Sequence, residues 1–284
     1  MVEKNRKVAI FGGVGSFHEL AAKKYFSDEP EVVVEPHSPF SALVRALERD
    51  PALHIGVMAI ENTIAGSIIG NYILLQNSKL KITGEIMIRI QHHLMGLPGT
   101  PLKEIREVYS HPMAIAQCDK FLSENPQIRV IEERDTSFSA LRIQMEKLEH
   151  SAAIAGEQAA KEYGLEIIEK NVETVAHNYT RFLILERNDH TYDDTAEKFT
   201  ISFEIPYYQT GTLHHVLTVI NNFQANILKL QTVPLLNQPW EYIFFLDIIV
   251  ESPDRVAPLI AALKETTIHL YLWGTYKKGK VLHS

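Results

Sequence analysis

Short apolar runs alternate with helical repeats along the first two thirds of the chain. Runs such as Lys7–Phe11 and His54–Ile60 are apolar enough to form strands buried on both faces. Between such runs, apolar residues of segments such as 40–47 recur at the i, i+3, i+4, i+7 spacing of a helix that buries one stripe. This alternation predicts an α/β fold with mostly parallel sheets.

The same patterns place further elements in this part of the chain. Predicted strands are Lys7–Phe11, Val32–Val34, His54–Ile60, Glu107–Tyr109, Ala152–Ala155 and Phe182–Leu185. Predicted helices are His18–Phe26, Phe40–Leu47, one that starts near Pro112, and Glu157–Tyr163 with Gly164 as its C-cap.

The last third follows a different order. Segment Phe199–Ile205 alternates apolar and polar residues as a half-buried strand does. The remaining predicted elements are helix Leu213–Ile220, strands Ile227–Pro234 and Tyr242–Val250, helix Val256–Leu263 and strand Ile268–Tyr276. The resulting βαββαβ order is typical of the ferredoxin-like split. Each helix has one apolar stripe, so we expect both to cover one face of an antiparallel sheet. The other face, or the sheet edge, should then be free for a partner.

A polar segment, Arg187–Lys198, separates the two patterns. Such a segment cannot bury enough apolar surface to form a core. We therefore predict a first domain at residues 1–187, a linker at 188–197 and a second domain at 198–284.

Composition narrows the class of protein. The chain has 284 residues, 45% of them hydrophobic and 22% charged, with a net charge of −7 that argues against a nucleic-acid partner. Its one cysteine, Cys118, cannot form an internal disulfide. No apolar run is long enough for a signal peptide or a membrane span. We expect a soluble cytoplasmic protein without a membrane partner.

Simple motif searches point to no metal or nucleotide cofactor. The loop from Gly12 to Ser16 lacks both the G-x-G-x-x-G spacing and the Walker ending, so a tight turn or a small carboxylate site fits it better. The 13 histidines include no H-E-x-x-H motif, and the pairs His92-His93 and His214-His215 are predicted to be surface or supporting residues. Cys118 has apolar neighbours, which favours inert packing.

Two polar strings carry the candidate chemistry. Glu61, Asn62 and Thr63 follow a predicted buried strand, where α/β folds often hold their sites. The string from Asn178 to Phe182 combines an amide, a hydroxyl, a guanidinium and an aromatic ring. Arginine suits bidentate carboxylate binding. By spacing alone, an ordinary strand start with a surface arginine remains the alternative.

Taken in order, five strings resemble the prephenate dehydratase family that carries a C-terminal ACT domain. They are Gly12–Phe17, Gly56–Thr63 followed by Gly66-Ser67, Ile82–Glu85, Ser110–Pro112 with Gln117-Cys118, and Asn178–Phe182. The last string matches the family signature Asn-x-Thr-Arg-Phe. In the first string, Gly13 stands where the family has proline and Ser16 where it has threonine. The resemblance covers nearly the whole chain.

The resemblance implies a catalytic domain of two α/β lobes around a cleft, like a periplasmic binding protein, and a ferredoxin-like ACT domain. It also implies a hydro-lyase that converts prephenate to phenylpyruvate, CO2 and water in phenylalanine biosynthesis, without a metal or organic cofactor. Thr180 would then assist departure of the hydroxyl, Arg181 would hold a carboxylate, and Glu61 is the rival proton donor. The implied substrate-binding residues are Ser16, Asn62, Thr63, Ser110, Gln117, Asn178 and Phe182.

The C-terminal part resembles ACT domains that bind L-phenylalanine as an allosteric effector. Implied effector-binding residues are Gly211, Thr212, Leu213 and Asn226. Segment Gln231–Pro234 stands where the family has Glu-Ser-Arg-Pro, which puts the effector's affinity and identity in question. The resemblance further implies a homodimer or homotetramer that pairs through ACT domains.

Three alternatives stay open at the level of sequence. The enzyme could use arogenate, or the fold could serve as a non-catalytic small-molecule sensor. A nicotinamide dehydrogenase is disfavoured by the spacing of the glycine loop. A strand is predicted within the first ten residues, so we expect no attached chorismate mutase domain.

Overall fold

A computed structural model describes residues 6–29, 32–187, 193–205, 210–235 and 240–282. Its strands are β1 (Arg6–Phe11), β2 (Val32–His37), β3 (Ile55–Asn62), β4 (Gly66–Ser67), β5 (Lys81–Arg89), β6 (His93–Gly96), β7 (Glu107–Ser110), β8 (Arg129–Glu132), β9 (Ser151–Ala155), β10 (Glu166–Glu169), β11 (Tyr179–Glu186), β12 (Lys198–Glu204), β13 (Asn226–Pro234), β14 (Tyr242–Ile249), β15 (Ile268–Tyr276) and β16 (Val281–Leu282). Its α-helices are α1 (Phe17–Tyr25), α2 (Phe40–Arg49), α3 (Ile69–Gln76), α4 (Pro112–Gln117), α5 (Asp119–Glu124), α6 (Thr136–Glu146), α7 (Glu157–Tyr163), α8 (Thr212–Asn222) and α9 (Val256–Thr266).

These elements confirm the mixed α/β fold with several sheets. Helix α7 and strand β15 have the predicted bounds, and Gly164 ends α7 in the left-handed conformation at φ +62°. The segment from α3 to β6 was not predicted. Helix α3 is apolar with no clear stripe, and it contains Gly70, so periodicity gives little signal there.

The chain divides into two compact units. The first comprises Met1–Gly66, Ile86–Phe182 and Val281–Ser284, and the second comprises Ser67–Glu85 and Leu183–Lys280. The division falls within β5 and β11.

In the first unit, two sheets carry the helices. One has the strand order β2-β1-β3-β11-β5-β16, with β4 beside β3. Strand β1 pairs in parallel with both β2 and β3. The other sheet has the order β10-β6-β9-β7-β8, in which β7 is parallel to β8 and β9 while β6 is antiparallel to β9 and β10. Parallel neighbours bring the carboxyl ends of their strands together.

In the second unit, one antiparallel sheet has the order β13-β14-β12-β15. With α8 and α9 this gives the predicted βαββαβ order of elements. Both helices pack on one face, where Phe199, Val216, Leu246 and Leu259 share one buried cluster. The predicted stripe of α8 is wrong at Leu217, which is 36% exposed, because the core side of the helix runs through Val216 and Ile220.

Of the two surfaces predicted to be open to a partner, the second face of this sheet is covered. Tyr72 of α3 stacks edge-on against Phe245 of β14, with ring centroids 5.1 Å apart. Polar side chains on this face, such as Thr200 and Asp247, are buried and hydrogen-bonded to each other at 2.6 Å. The outer strand β13 still exposes Leu228 and Leu230. A partner of the sheet therefore has the β13 edge available.

Part of the predicted linker is packed. Residues 188–192 lie outside the described part of the chain, but Ala196 is fully buried and Val250 N–H donates to the carbonyl of Glu197. Lys198 is buried too, and its ammonium lies 2.7 Å from both carboxylate oxygens of Glu85. Burial of Lys198 is tolerated because its charge is paired and hydrogen-bonded.

Candidate active site

The signature string lies on a strand rather than before one. Strand β11 begins at Tyr179, three residues earlier than predicted, so Thr180, Arg181 and Phe182 are strand residues. Asn178, Thr180, Arg181 and Phe182 are all buried. Successive side chains of a strand point to opposite faces. Thr180 and Arg181 therefore point to opposite faces of the sheet, and a ligand that contacts both must lie at the edge where β11 begins.

Asn62, at the end of β3, is bonded to both ends of this string. Its Nδ2 donates to Asn178 Oδ1 at 2.6 Å and to Thr180 Oγ1 at 3.0 Å. Its Oδ1 accepts the backbone N–H groups of Ile64 and Ala65, each at 2.9 Å. Backbone nitrogens can only donate, so these two bonds fix which end of the amide faces Thr180. The Thr180 oxygen thus acts as an acceptor toward Asn62, and its hydroxyl hydrogen is left for another acceptor.

Thr63 holds β3 and β11 in register. Its N–H donates to Tyr179 O at 2.9 Å, and its Oγ1 accepts from Tyr179 N at 2.9 Å. Its hydroxyl also donates to His177 O at 3.3 Å. The hydroxyl of Thr63 is thus engaged with backbone, and its predicted contact with substrate stays a prediction.

Glu61 and Arg181 form an ion pair across the same two strands. Arg181 Nη1 lies 3.6 Å from Glu61 Oε1, with side-chain exposures of 9% and 26%. That separation is longer than a hydrogen bond, and a guanidinium has five N–H donors. The pair places a guanidinium, whose N–H edge suits bidentate binding of a carboxylate, where β3 ends and β11 begins.

Ser110 ends β7 of the second sheet, and Gln117 ends α4, the helix that follows β7. Gln117 Oε1 accepts from Asn178 Nδ2 at 2.9 Å, which joins Gln117 to the Asn62 group. Ser110 is fully buried, and its hydroxyl donates to the carbonyl of Ile154 in β9 at 2.7 Å. Ser110 therefore pins the end of β7 to β9, and its predicted contact with substrate stays a prediction.

The glycine loop was predicted to be either a tight turn or a small carboxylate site. Ser16 is the N-cap of α1, and its Oγ accepts from Glu19 N at 3.3 Å. The Glu19 carboxylate in turn accepts the N–H of Gly15, one residue before the N-cap, so the pair resembles a capping box shifted by one residue. The N–H groups of Gly12 and Ser16 donate to the carbonyls of His37 and Gly13. The N–H groups of Gly12, Gly15 and Ser16 are therefore used within the protein, which supports the tight turn, and the predicted contact of Ser16 with substrate stays a prediction.

Glycine is required at position 15. Its φ is +80°, and a Cβ there would lie 2.9 Å from the Cα of Ala159 in α7. The loop is further held by Tyr163, whose hydroxyl donates to Val14 O at 2.6 Å. A cavity of about 200 Å³ next to this contact is lined by residues that include Gly12, His37 and Asp135. Its lining does not include Thr180 or Arg181.

Two histidines that sequence reasoning did not assign to the site contact it. His18 accepts the N–H of Ala59 at its Nε2, at 3.3 Å, and packs edge-on against Phe182 with ring centroids 4.9 Å apart. Burial lowers the pKa of His18 to about 3. His92 lies 3.0 Å from Gln117 Oε1, and burial lowers its pKa to about 4. His92 and His93 are both buried, so neither is a surface residue. That the two histidines are neighbours in the sequence did not indicate that both are buried.

Acid should destabilise the fold through His92. The unfolded chain takes up this proton near the ordinary pKa of 6.5, and the folded chain only near about 4. Between these values the unfolded state binds more protons, so the free energy of unfolding falls by up to about 1.4 kcal/mol per pH unit for this group. The contribution is complete above pH 6.5 and is lost as the pH falls toward about 4.

Urea unfolding between pH 7 and pH 4 measures this dependence. The variant His92→Gln should show a shallower loss of stability with acid than the parent chain. An equal slope in both proteins would contradict the assignment. His150, whose ring is largely exposed, offers a matched histidine control.

No group of three or more metal-binding side chains occurs among the residues that the structure describes. Within the same residues, no helix is long and apolar enough to cross a membrane.

Known proteins are similar to this chain over nearly its whole length. A sequence model of the prephenate dehydratase family matches residues 8–190. The bifunctional chorismate mutase/prephenate dehydratase of Escherichia coli K12 is 32% identical over 260 residues, which are 91% of this chain and 67% of that protein. Arogenate dehydratase/prephenate dehydratase 2 of Arabidopsis thaliana chloroplasts is 33% identical over 281 residues, 95% of this chain and 72% of that protein.

Solved structures share the fold. GqqA, described as a novel type of quorum-quenching acylase, is 27% identical with a TM-score of 0.84, covering 96% of this chain and 98% of its own. A prephenate dehydratase from Arthrobacter aurescens in complex with L-Phe is 22% identical with a TM-score of 0.83, covering 96% of this chain and 90% of its own. On the family match and the identity to these relatives, the chain belongs to the prephenate dehydratase family of hydro-lyase enzymes.

Proposed function

We propose that this protein converts prephenate to phenylpyruvate, CO2 and water for phenylalanine biosynthesis, in a cleft between the two lobes of its first unit. The observation that carries the proposal is the hydrogen bond from Asn62 to Thr180 Oγ1. Because this bond uses the oxygen as an acceptor, the hydroxyl hydrogen can be donated to a leaving oxygen.

The reaction needs little chemistry from the protein. The ring carboxylate departs as CO2, and its C–C bonding electrons form a ring double bond. An existing ring double bond shifts to the hydroxyl-bearing carbon as the C–O bond there breaks. The departing hydroxide takes one proton and becomes water, and the ring becomes aromatic. An enzyme accelerates this by holding two carboxylates and by hydrogen-bonding the leaving oxygen. Threonine is a very weak acid, so Thr180 acts by oriented electrostatics, and the proton that converts the departing hydroxide to water is taken up from solution.

The residues next to Thr180 bind and orient the substrate. Arg181 binds a substrate carboxylate, because its buried guanidinium can donate two parallel N–H groups to such a group and lies where β11 begins, next to the Asn62 group. Glu61 orients Arg181, a role that its position beside the guanidinium supports over that of proton donor. Phe182 supplies an apolar wall, held by the ring of His18. Asn62, Gln117 and Asn178 form the amide side of the cleft.

A nucleophilic mechanism has less support. The acylase GqqA shares this fold, but no side-chain hydrogen bond joins a serine or the cysteine to a histidine within the described residues. Burial also raises the pKa of the Cys118 thiol to about 12, which keeps it protonated. Activated nucleophiles need an adjacent base or a lowered pKa.

The direct test measures phenylpyruvate formed from purified protein and prephenate, with arogenate in a parallel assay. Phenylpyruvate from prephenate supports the proposal, and turnover of arogenate alone would replace it with the alternative substrate. Binding of prephenate without turnover would favour the sensor. The Thr180→Val protein serves as the inactive control.

We further propose that residues 198–284 form an ACT domain, joined by a linker at 188–197 to a catalytic domain at 1–187. A cavity of about 400 Å³ at the start of α8 supports an effector site there, with Thr212, His215 and Glu265 among its lining residues. The start of a helix favours a carboxylate, and a glutamate favours an ammonium group. Both charges belong to a free amino acid such as L-phenylalanine, which the A. aurescens protein binds.

The proposed effector residues also support a homodimer or homotetramer. Gly211, Thr212 and Leu213 start α8, whereas Asn226 follows its end. An 11-residue helix is about 16 Å long, so one amino acid cannot contact both groups in a single copy. A second copy paired along the exposed β13 edge would bring Asn226 of one chain toward Gly211 of another.

Calorimetry should detect binding of L-phenylalanine to the parent protein. Gly211→Ala should weaken it, because Gly211 has φ +86° and caps α8, a conformation that alanine adopts poorly. Gly99 has φ +82° in the first unit with open space around it, and Gly99→Ala is the matched control. Absence of binding at millimolar L-phenylalanine would reject the effector, given the altered Gln231–Pro234 segment.

A further inference from the structure

We propose that His92 is a positioning residue for Gln117: its Nε2–H donates to Gln117 Oε1 and so directs the Gln117 amide N–H groups toward the substrate. The inference rests on the proposed function, because it assigns Gln117 to the substrate-binding wall. It adds a residue that the motif resemblance does not contain.

The direction of each hydrogen bond can be worked out from the backbone. Ile64 and Ala65 donate their N–H groups to Asn62, so the atom they contact is the carboxamide oxygen of Asn62. The other end of that amide, the NH2 group, therefore faces Asn178 at 2.6 Å. A donor needs an acceptor, so the Asn178 atom at this contact is its oxygen.

The same logic fixes Gln117 and then His92. With its oxygen facing Asn62, Asn178 presents its NH2 group to Gln117 at 2.9 Å. The Gln117 atom at that contact must be its oxygen, Oε1. His92 Nε2 lies 3.0 Å from this same oxygen, and it can bond to it only by carrying the hydrogen. His92 is thus the Nε2–H tautomer, and its Nδ1 holds a lone pair.

Burial keeps His92 in this form. The residue is 2% exposed, its Nδ1 has no hydrogen-bond partner within the described residues, and the ring of Phe17 packs edge-on against it with centroids 5.7 Å apart. An imidazolium here would leave a second N–H donor unsatisfied in an apolar setting. The neighbours that could alter its charge are His93 and, through His93, Glu173, whose carboxylate accepts the N–H of His92.

The result is a directed pair of donors on Gln117. Its Oε1 takes two hydrogen bonds, and its NH2 group makes none with the described residues although the side chain is 8% exposed. Glutamine loses considerable rotamer freedom when it is ordered, and two bonds to one oxygen set that orientation in advance. A carboxylate or hydroxyl oxygen of a substrate can then be met without reorganisation.

Two substitutions test the role. His92→Leu removes the donor, and His92→Gln offers an amide N–H of similar reach. We expect His92→Leu to lower kcat/KM by ~10-fold or more, because small losses of orientation cost up to ~10²-fold. His92→Gln should restore most of the activity. Melting temperatures of both variants separate this effect from loss of folding.

A double-mutant cycle identifies the route of the effect. If His92 acts through Gln117, then His92→Leu should cost nothing further in a Gln117→Ala background. Additive losses would overturn the inference. Activity of His92→Leu equal to the parent would overturn it as well.

The tautomer is tested without any turnover. Nitrogen-15 NMR of histidine side chains, with the His92 signals identified by their loss in His92→Gln, should find a neutral ring with its hydrogen on Nε2 at neutral pH. A charged ring, or hydrogen on Nδ1, refutes the inference whatever the activity. Absence of dehydratase activity in the parent protein, with the expected tautomer observed, would instead refute the proposed function.

Discussion

Thr180→Val should lower kcat for prephenate by at least ~10²-fold, the scale of a lost acid or oriented donor. Valine matches threonine in shape and removes only the hydroxyl. In the parent chain, that hydroxyl accepts from Asn62 and has its hydrogen directed elsewhere. KM should change less than kcat, since the bond to the leaving oxygen strengthens as charge develops on it.

The matched control for Thr180 is Thr180→Ser, which keeps the hydroxyl and the Asn62 contact. Its kcat should stay within ~10-fold of the parent value, since orientation rather than chemistry is altered. Loss of the Asn62 bond in Thr180→Val should cost only about 1 kcal/mol of stability. Near-parental turnover by a folded Thr180→Val protein would refute the catalytic role of Thr180.

Arg181→Met should lower kcat/KM for prephenate by ~10²-fold or more, the second large effect. Removing one partner of a buried charge pair costs about 2–5 kcal/mol. Most of the loss should be in KM, because the carboxylate that we propose Arg181 binds is present in substrate and transition state alike. Steady-state kinetics over a wide range of prephenate concentration measures this split.

Two companion variants make the Arg181 result decisive. Arg181→Lys keeps the charge but not the planar fork, so it should recover only part of the activity. Arg181→Met combined with Glu61→Gln removes the carboxylate that Arg181→Met would leave without its partner. If Glu61→Gln alone abolishes turnover while Arg181→Met retains it, then Glu61 is the proton donor. Arg181 would then orient Glu61, which reverses the arrangement proposed above.

The elements of this protein were largely readable from its periodicity. Alternating apolar runs and helical stripes gave the βαββαβ order of the second unit, and Glu157–Tyr163 with Gly164 gave α7. These signals are local, because a stripe or a C-cap glycine lies within a few residues of what it determines. Strand β11 shows the limit, since its first three residues are polar or aromatic and join the sheet through contacts with Thr63.

The candidate site was readable only as a set of residue types. The string Asn178–Phe182 and the pair Glu61-Asn62 matched a family signature, and the structure brings Asn62, Asn178, Thr180 and Gln117 together. Their arrangement had no local signal, because Asn62 and Asn178 are 116 positions apart and Asn178 and Gln117 are 61 apart. Ser16 shows the reverse case, a motif residue that the fold uses to cap α1.

The sequence by itself determined the class of fold, the family and the residue types at the site, because these depend on periodicity and on short motifs. How those residues act depends on contacts that form when the chain folds. An amide can turn either end toward a neighbour, and a histidine can carry its hydrogen on either nitrogen, so each needs a partner to choose. Here the choice starts at the backbone N–H groups of Ile64 and Ala65 and ends at His92, whose burial lowers its pKa to about 4.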